Sequence, residues 1–222
     1  SLGASMLVTY AVPQLIAAKL AIFSQAMTTV LLPKLSATKN DKRKKDILSA
    51  NLYFFSNLIG FLLIVSLPFF NQILLWWLKN AYSIEILKIF KIFILIAFLI
   101  CLSSLIITFY EGTLVAKKNT KYETFIIVPF FLGLIYCTYQ KDIFLFAFLI
   151  MVKEIIMLFT RIINIKKYIF NFSYFNVGIM LFFLSYSFSI IGWNNLSYMF
   201  SFVFIILLFI NFPLKLILKE FF

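Results

Sequence analysis

Three charged side chains stand inside stretches that are otherwise apolar. Lys19 lies within MLVTYAVPQLIAAKLAIFSQAMTTVLL, and Lys153 with Glu154 interrupts IFLFAFLIMVKEIIMLFT, with Arg161 two turns beyond Glu154 on the same face. A fourth, Glu111, closes the apolar run that ends in TFYEG. A lysine can attract a phosphate or another anion, and a carboxylate can carry a proton or a cation. A charge at the bilayer centre costs on the order of 2.5–3.5 kcal/mol even on a lenient insertion scale. Two readings stand side by side. In one, these groups line a polar lumen: Lys19 and Lys153 bind a charged cargo, and Glu154 or Glu111 carries a coupling ion. In the other, they are structural ion pairs or side chains that snorkel to the interface. Lys153 and Glu154 are adjacent, hence about 100° apart on a helix, so the two cannot face one direction squarely.

Other chemistries lack their parts. There is no histidine, and Cys101 and Cys137 have no CxxC spacing. Zinc, haem and histidine-based catalysis therefore lose their usual ligands and bases. No glycine-rich phosphate loop and no Ser/His/Asp set occurs. The expectation is a chain without catalytic residue, metal or cofactor, and not an enzyme.

The elements that must position these charges are membrane helices. The chain of 222 residues is 64% hydrophobic and 20% aromatic, with a mean hydropathy of +1.04, which leaves too little polar sequence to coat a soluble domain. Apolar runs of about 18 residues or more recur along its length, the signature of transmembrane helices. A helix satisfies its own backbone hydrogen bonds, and lipid offers no other partner. The expected fold is all-α and integral to the membrane, with about seven spans near 6–32, 47–75, 86–114, 122–139, 143–165, 172–191 and 196–212. Residues 1–167 would form a five-helix part and 168–222 two additional helices.

Several details bear on that outline. On the first span, Gln14, Ala18, Ala21, Gln25, Thr28 and Thr29 make a small, polar stripe of the kind that lets helices approach closely in lipid. Lys19 is about 140° from Gln14, outside the stripe and among Leu15, Ile22 and Ala26. The first span is expected to exit at Pro33 into a basic loop that ends at Asp46. Asn57, Gly60 and Pro68 interrupt the second, and Trp76 and Trp77 stand where an aromatic belt belongs.

The formal net charge of +12 would suggest nucleic acid in a soluble protein. Here the charges fall in alternate links, so topology accounts for them and no nucleic-acid partner is expected. Lys34, Lys39, Lys42, Arg43, Lys44, Lys45, Lys117, Lys118, Lys121, Arg161, Lys166, Lys167, Lys215 and Lys219 gather on one side, against Lys79, Lys141, Lys88 and Lys91 on the other. The positive-inside rule then puts Ser1 outside and Phe222 in the cytoplasm.

The motifs Tyr10-Ala-Val-Pro13, Lys19 and Val30-Leu-Leu-Pro33-Lys-Leu-Ser36 resemble the opening of the second lobe of bacterial polysaccharide repeat-unit flippases. These are the O-antigen and capsule exporters of the MOP (multidrug/oligosaccharidyl-lipid/polysaccharide) superfamily. Leu74-Leu-Trp-Trp-Leu78 is similar to the family's leucine-tryptophan-leucine-glycine helix end, with Lys79 where glycine is common. Leu114-Val-Ala-Lys-Lys-Asn-Thr120 resembles its small and basic link. The resemblance covers about Tyr10 to Lys167. It implies two six-helix lobes around a cationic cavity that work by alternating access in the bacterial inner membrane. It implies a cargo of undecaprenyl-pyrophosphate-linked oligosaccharide, with membrane lipids as surroundings. It also implies that an N-terminal lobe is missing from this chain, which would make it a piece of a longer protein. Lys19 matches the family's basic position and takes a lumen role from it. The rival readings are a drug/ion antiporter of the same superfamily, or a membrane-embedded polysaccharide-assembly subunit or enzyme. An antiporter for cationic drugs would favour acidic residues over lysine at mid-bilayer, and membrane enzymes of this kind usually need a large loop or a catalytic histidine.

Overall fold

The computed structural model describes residues 4–113, 117–165, 184–187, 189–190, 196–197 and 199–203, and all regular structure among them is helical. Five candidate membrane spans are present among these residues: Thr9–Ala37, Asp41–Ala81, Ile84–Gly112, Glu123–Gln140 and Ile143–Ile163. The chain is a multi-pass membrane protein. The sixth and seventh expected spans lie for the most part outside the described residues.

The chain divides into two units. One comprises Ser1–Thr38 and Ser83–Ile165; the other comprises Lys39–Tyr82 and Lys166–Phe222. The first unit holds α1 (Ala4–Ala37), α4 (Ile84–Gly112), α5 (Lys117–Gln140) and α6 (Ile143–Ile165). Helix α4 is its core. It is apolar all round its circumference, and 83% of its most apolar window is buried, against 17% for α1 and 6% for α5. A helix without a polar face has no side to offer water and is surrounded by other elements. Helices α1 and α6 pack on α4, and α5 packs on α6.

The seam of α1 against α4 follows helical spacing: Pro13, Ala17, Ser24, Leu31 and Leu35 are buried. Tyr10 fastens one end, with its ring edge-on to Phe93 at 5.1 Å and to Phe146 at 5.5 Å. Cys101 Sγ donates to the Leu20 carbonyl at 3.5 Å midway along. Gly112 fastens the other end, where a Cβ would stand 2.9 Å from Leu35 Cβ. Only a residue without a side chain permits this approach of the two backbones. Gly133 plays the same part between α5 and α6, facing Leu149.

The second unit opens with α2 (Asp41–Ser66), whose N-terminus is capped by Asn40 accepting from the backbone N–H of Lys42 at 2.9 Å and of Arg43 at 3.4 Å. A 3-10 turn at Leu67–Phe69 follows, then α3 (Phe70–Leu78). Of the three expected interruptions only Pro68 breaks the helix, because it lacks the N–H that would continue the ladder. Asn57 instead donates to the Tyr53 carbonyl at 2.8 Å, and Asn51 to Ile47 at 2.7 Å, so each buried amide is served by its own helix. Trp76 and Trp77 are exposed at the end of α3. Further along, Ser201 Oγ donates to the Ser197 carbonyl at 2.8 Å, and Ser185 Oγ lies 2.6 Å from Ser201 Oγ. Such hydroxyl contacts join helices where no hydrophobic force distinguishes protein from lipid.

Helix α5 starts at Lys117, ahead of the expected 122, so the second basic link is partly helical, and two boundaries around the first basic loop also differ from expectation. Helix α1 runs through Pro33 to Ala37, since proline's fixed φ is itself helical and costs one hydrogen bond without forcing an exit. The basic loop shrinks to residues 38–40, and Lys42 to Lys45 ride the first turns of α2. Lysine and arginine are good helix formers, and the Asn40 cap starts the helix ahead of the apolar run.

Candidate functional site

The inner face of α6 carries the deepest charges. Ala147, Glu154, Leu158, Arg161, Ile162 and Ile165 recur at helical spacing and are all buried. Glu154 lies eleven residues after Ile143, about 16 Å along the axis at 1.5 Å per residue, which is half of a hydrocarbon core. Its Oε1 is 2.7 Å from Lys153 Nζ, and that ammonium also stands 5.0 Å from the centroid of the Phe130 ring on α5. This matches the structural ion-pair reading: although the two side chains start about 100° apart on the helix, the long lysine side chain bends back to its neighbour. The Phe130 face adds a cation–π contact, favourable for a desolvated ammonium.

About two turns further along α6, Arg161 is buried and pairs through Nη2 with Glu123 Oε1 of α5. Tyr110 of α4 donates its hydroxyl to the Arg161 carbonyl at 3.4 Å. Three helices meet at this point. Sequence reasoning placed Arg161 on the face of Glu154 and in the topological charge count, but passed over Glu123. The signal available was that Glu123 is the one acid between Lys117 and Phe125, at the start of an apolar run.

Lys19 is placed differently. It is about 200° round α1 from Ala17, opposite the seam, and exposed among Leu15, Ile22 and Phe23. Among the described residues it has no hydrogen-bond or ion-pair partner. Gln14, Ala18, Gln25 and Thr29 of the small, polar stripe are exposed as well. Glu111 is exposed on the last turn of α4, next to the buried Gly112, and is likewise unpaired among the described residues. Of the four sequence-predicted site residues, the structure brings only Lys153 and Glu154 into contact.

A cleft of about 460 Å³ opens at the end of this unit where α4 begins and α5 turns into α6. Glu85 and Lys88 of α4 line it together with Lys141 and Asp142 of the turn, above Ile143 and Phe144. The turn reverses through Lys141 at φ 55°, and Asp142 Oδ1 caps α6 by accepting from the Leu145 N–H at 3.0 Å. Sequence reasoning placed Lys88 and Lys141 near an interface but did not bring them together, since their meeting depends on how α4 packs on α6.

No group of acidic, cysteine or histidine residues among the described residues could hold a metal ion. Family models, curated proteins and solved structures were compared with the chain, and none matches it. The arrangement itself offers two neutralised ion pairs inside the helix cluster, an unpaired lysine on the outer face of α1, and a cleft carrying charges of both signs.

Proposed function

We propose that the chain is the C-terminal part of a flippase that moves undecaprenyl-pyrophosphate-linked oligosaccharide repeat units across the bacterial inner membrane by alternating access. In this reading its seven spans run from a periplasmic N-terminus to a cytoplasmic C-terminus. An N-terminal lobe of the same protein completes the cavity, and the work is transport, not catalysis. The observation that carries the reading is Lys19: a lysine near the middle of α1, exposed, without a partner among the described residues, on a face that α4 does not use. A lysine at that depth is too costly to leave in lipid, so a wet cavity or a partner must receive it. A pyrophosphate is the complementary charge. The motif resemblance around Tyr10, Pro13 and Lys19 supports the same cargo.

The antiporter reading finds support in a buried mid-span carboxylate. Glu154, however, is engaged by Lys153 at 2.7 Å, which leaves it poorly disposed to receive a cationic drug. The deciding experiment is to place Lys19→Ala and Lys19→Arg in the full-length protein and measure surface polysaccharide. Loss of polymer with alanine and retention with arginine are the expected outcome. Normal polymer with Lys19→Ala overturns the lumen role.

A further inference from the structure

We propose that the cleft at the start of α4 binds the headgroup of a zwitterionic phospholipid bearing a primary ammonium, that is, phosphatidylethanolamine. The assignment needs only that the chain spans a membrane and is independent of the cargo proposed above. Four charges surround one space: Glu85 and Lys88 from α4, Lys141 and Asp142 from the α5–α6 turn. Two are cations and two are anions, yet among the described residues none of the four forms an ion pair. Glu85, Lys88 and Lys141 are therefore presented to the cleft without an ion-pair partner, while Asp142 also caps α6 through Oδ1. An anion alone would meet Glu85 and Asp142 as repulsion, and a cation alone would meet Lys88 and Lys141 so. A zwitterion satisfies both. Its phosphate takes the lysines and its ammonium donates charge-assisted hydrogen bonds to the carboxylates.

The walls below the charged rim select a lipid over a soluble zwitterion. Ile89, Ile143 and Phe144 line the same cleft and follow the charged residues in sequence into the apolar spans of α4 and α6. A ligand with a charged head and hydrocarbon tails matches this order, and the end of a transmembrane helix is where headgroups reside. The primary ammonium is specified by the carboxylates, because a quaternary ammonium has no N–H to give them.

The test uses the purified full chain in non-ionic detergent with phosphatidylethanolamine, phosphatidylcholine and phosphatidylglycerol of matched acyl chains, and counts bound lipid by native mass spectrometry. Phosphatidylethanolamine is expected to bind about tenfold more tightly than either other lipid, the equivalent of one charge-assisted hydrogen bond. Glu85→Gln should abolish its advantage over phosphatidylglycerol, while Lys88→Gln should weaken both. Glu85 and Lys88 are exposed and unpaired, so both variants should retain full helicity by circular dichroism. Equal retention of the three lipids, or an unchanged preference in Glu85→Gln, overturns the site. Displacement of the lipid by glycerophosphoethanolamine at equal concentration overturns the lipid source in favour of a soluble zwitterion.

Discussion

The inner face of α6 and the outer face of α1 both carry charge at membrane depth, and they treat it in opposite ways. On α6, Glu154 is taken up by Lys153, and Arg161 by Glu123. Both acids or bases at the buried face have a partner on the same or a neighbouring helix, so the unit needs nothing further to accommodate them. On α1, Lys19 faces away from α4 and has no such partner among the described residues. A paired buried charge is accounted for by the architecture, since removing one partner strands the other. An unpaired one is not, and its explanation must lie in something the helix cluster meets. The comparison therefore separates charges that hold the unit together from a charge that the unit holds out.

The sharpest test of the first half is Arg161→Met. It removes the buried guanidinium that pairs with the partly exposed Glu123 and should lower stability by about 1–3 kcal/mol, read as a fall in the unfolding midpoint in detergent. The double variant Arg161→Met/Glu123→Gln should recover most of that loss. If the single and double variants unfold alike, the pair contributes no coupling and α5 is held by packing alone. Glu154→Leu should follow at about 1–2 kcal/mol, because the stranded Lys153 ammonium keeps its contact with Phe130.

Packing variants sharpen the same half. Gly112→Ala drives a methyl against Leu35 Cβ, which cannot move without its backbone, and should cost about 1–3 kcal/mol. Gly133→Ala meets only the end of the Leu149 side chain, which can change rotamer, and should cost less in the same assay. Equal effects would mean that α1 and α4 can separate as easily as two side chains can rearrange. The smallest structural effect belongs to Lys19→Ala. The unfolding midpoint should stay where it is while, under the proposed flippase function, surface polysaccharide is lost. A large fall in stability would return Lys19 to the class of structural charges and dissolve the contrast.

Composition and the length of the apolar runs determined by themselves that this chain is helical and crosses the membrane several times. Lipid cannot hydrogen-bond a backbone, so an apolar run of sufficient length has one regular solution. The break at Pro68 was legible for the same local reason, as was the presence of charge at mid-span. Helix ends were less legible, because Pro33 and the lysines after Asn40 are compatible with helix and the outcome rests on capping. Tertiary structure alone decided which charges are neutral. Lys153 meets the Phe130 ring of α5, Arg161 finds Glu123 across thirty-eight positions of chain, and four charges from α4 and the α5–α6 turn share one cleft. Such meetings depend on the rotation of each helix about its axis and on glycines that set how closely the axes approach. Helical periodicity gives the angle between residues on one helix, but the facing of one helix toward another is fixed only when their surfaces pack.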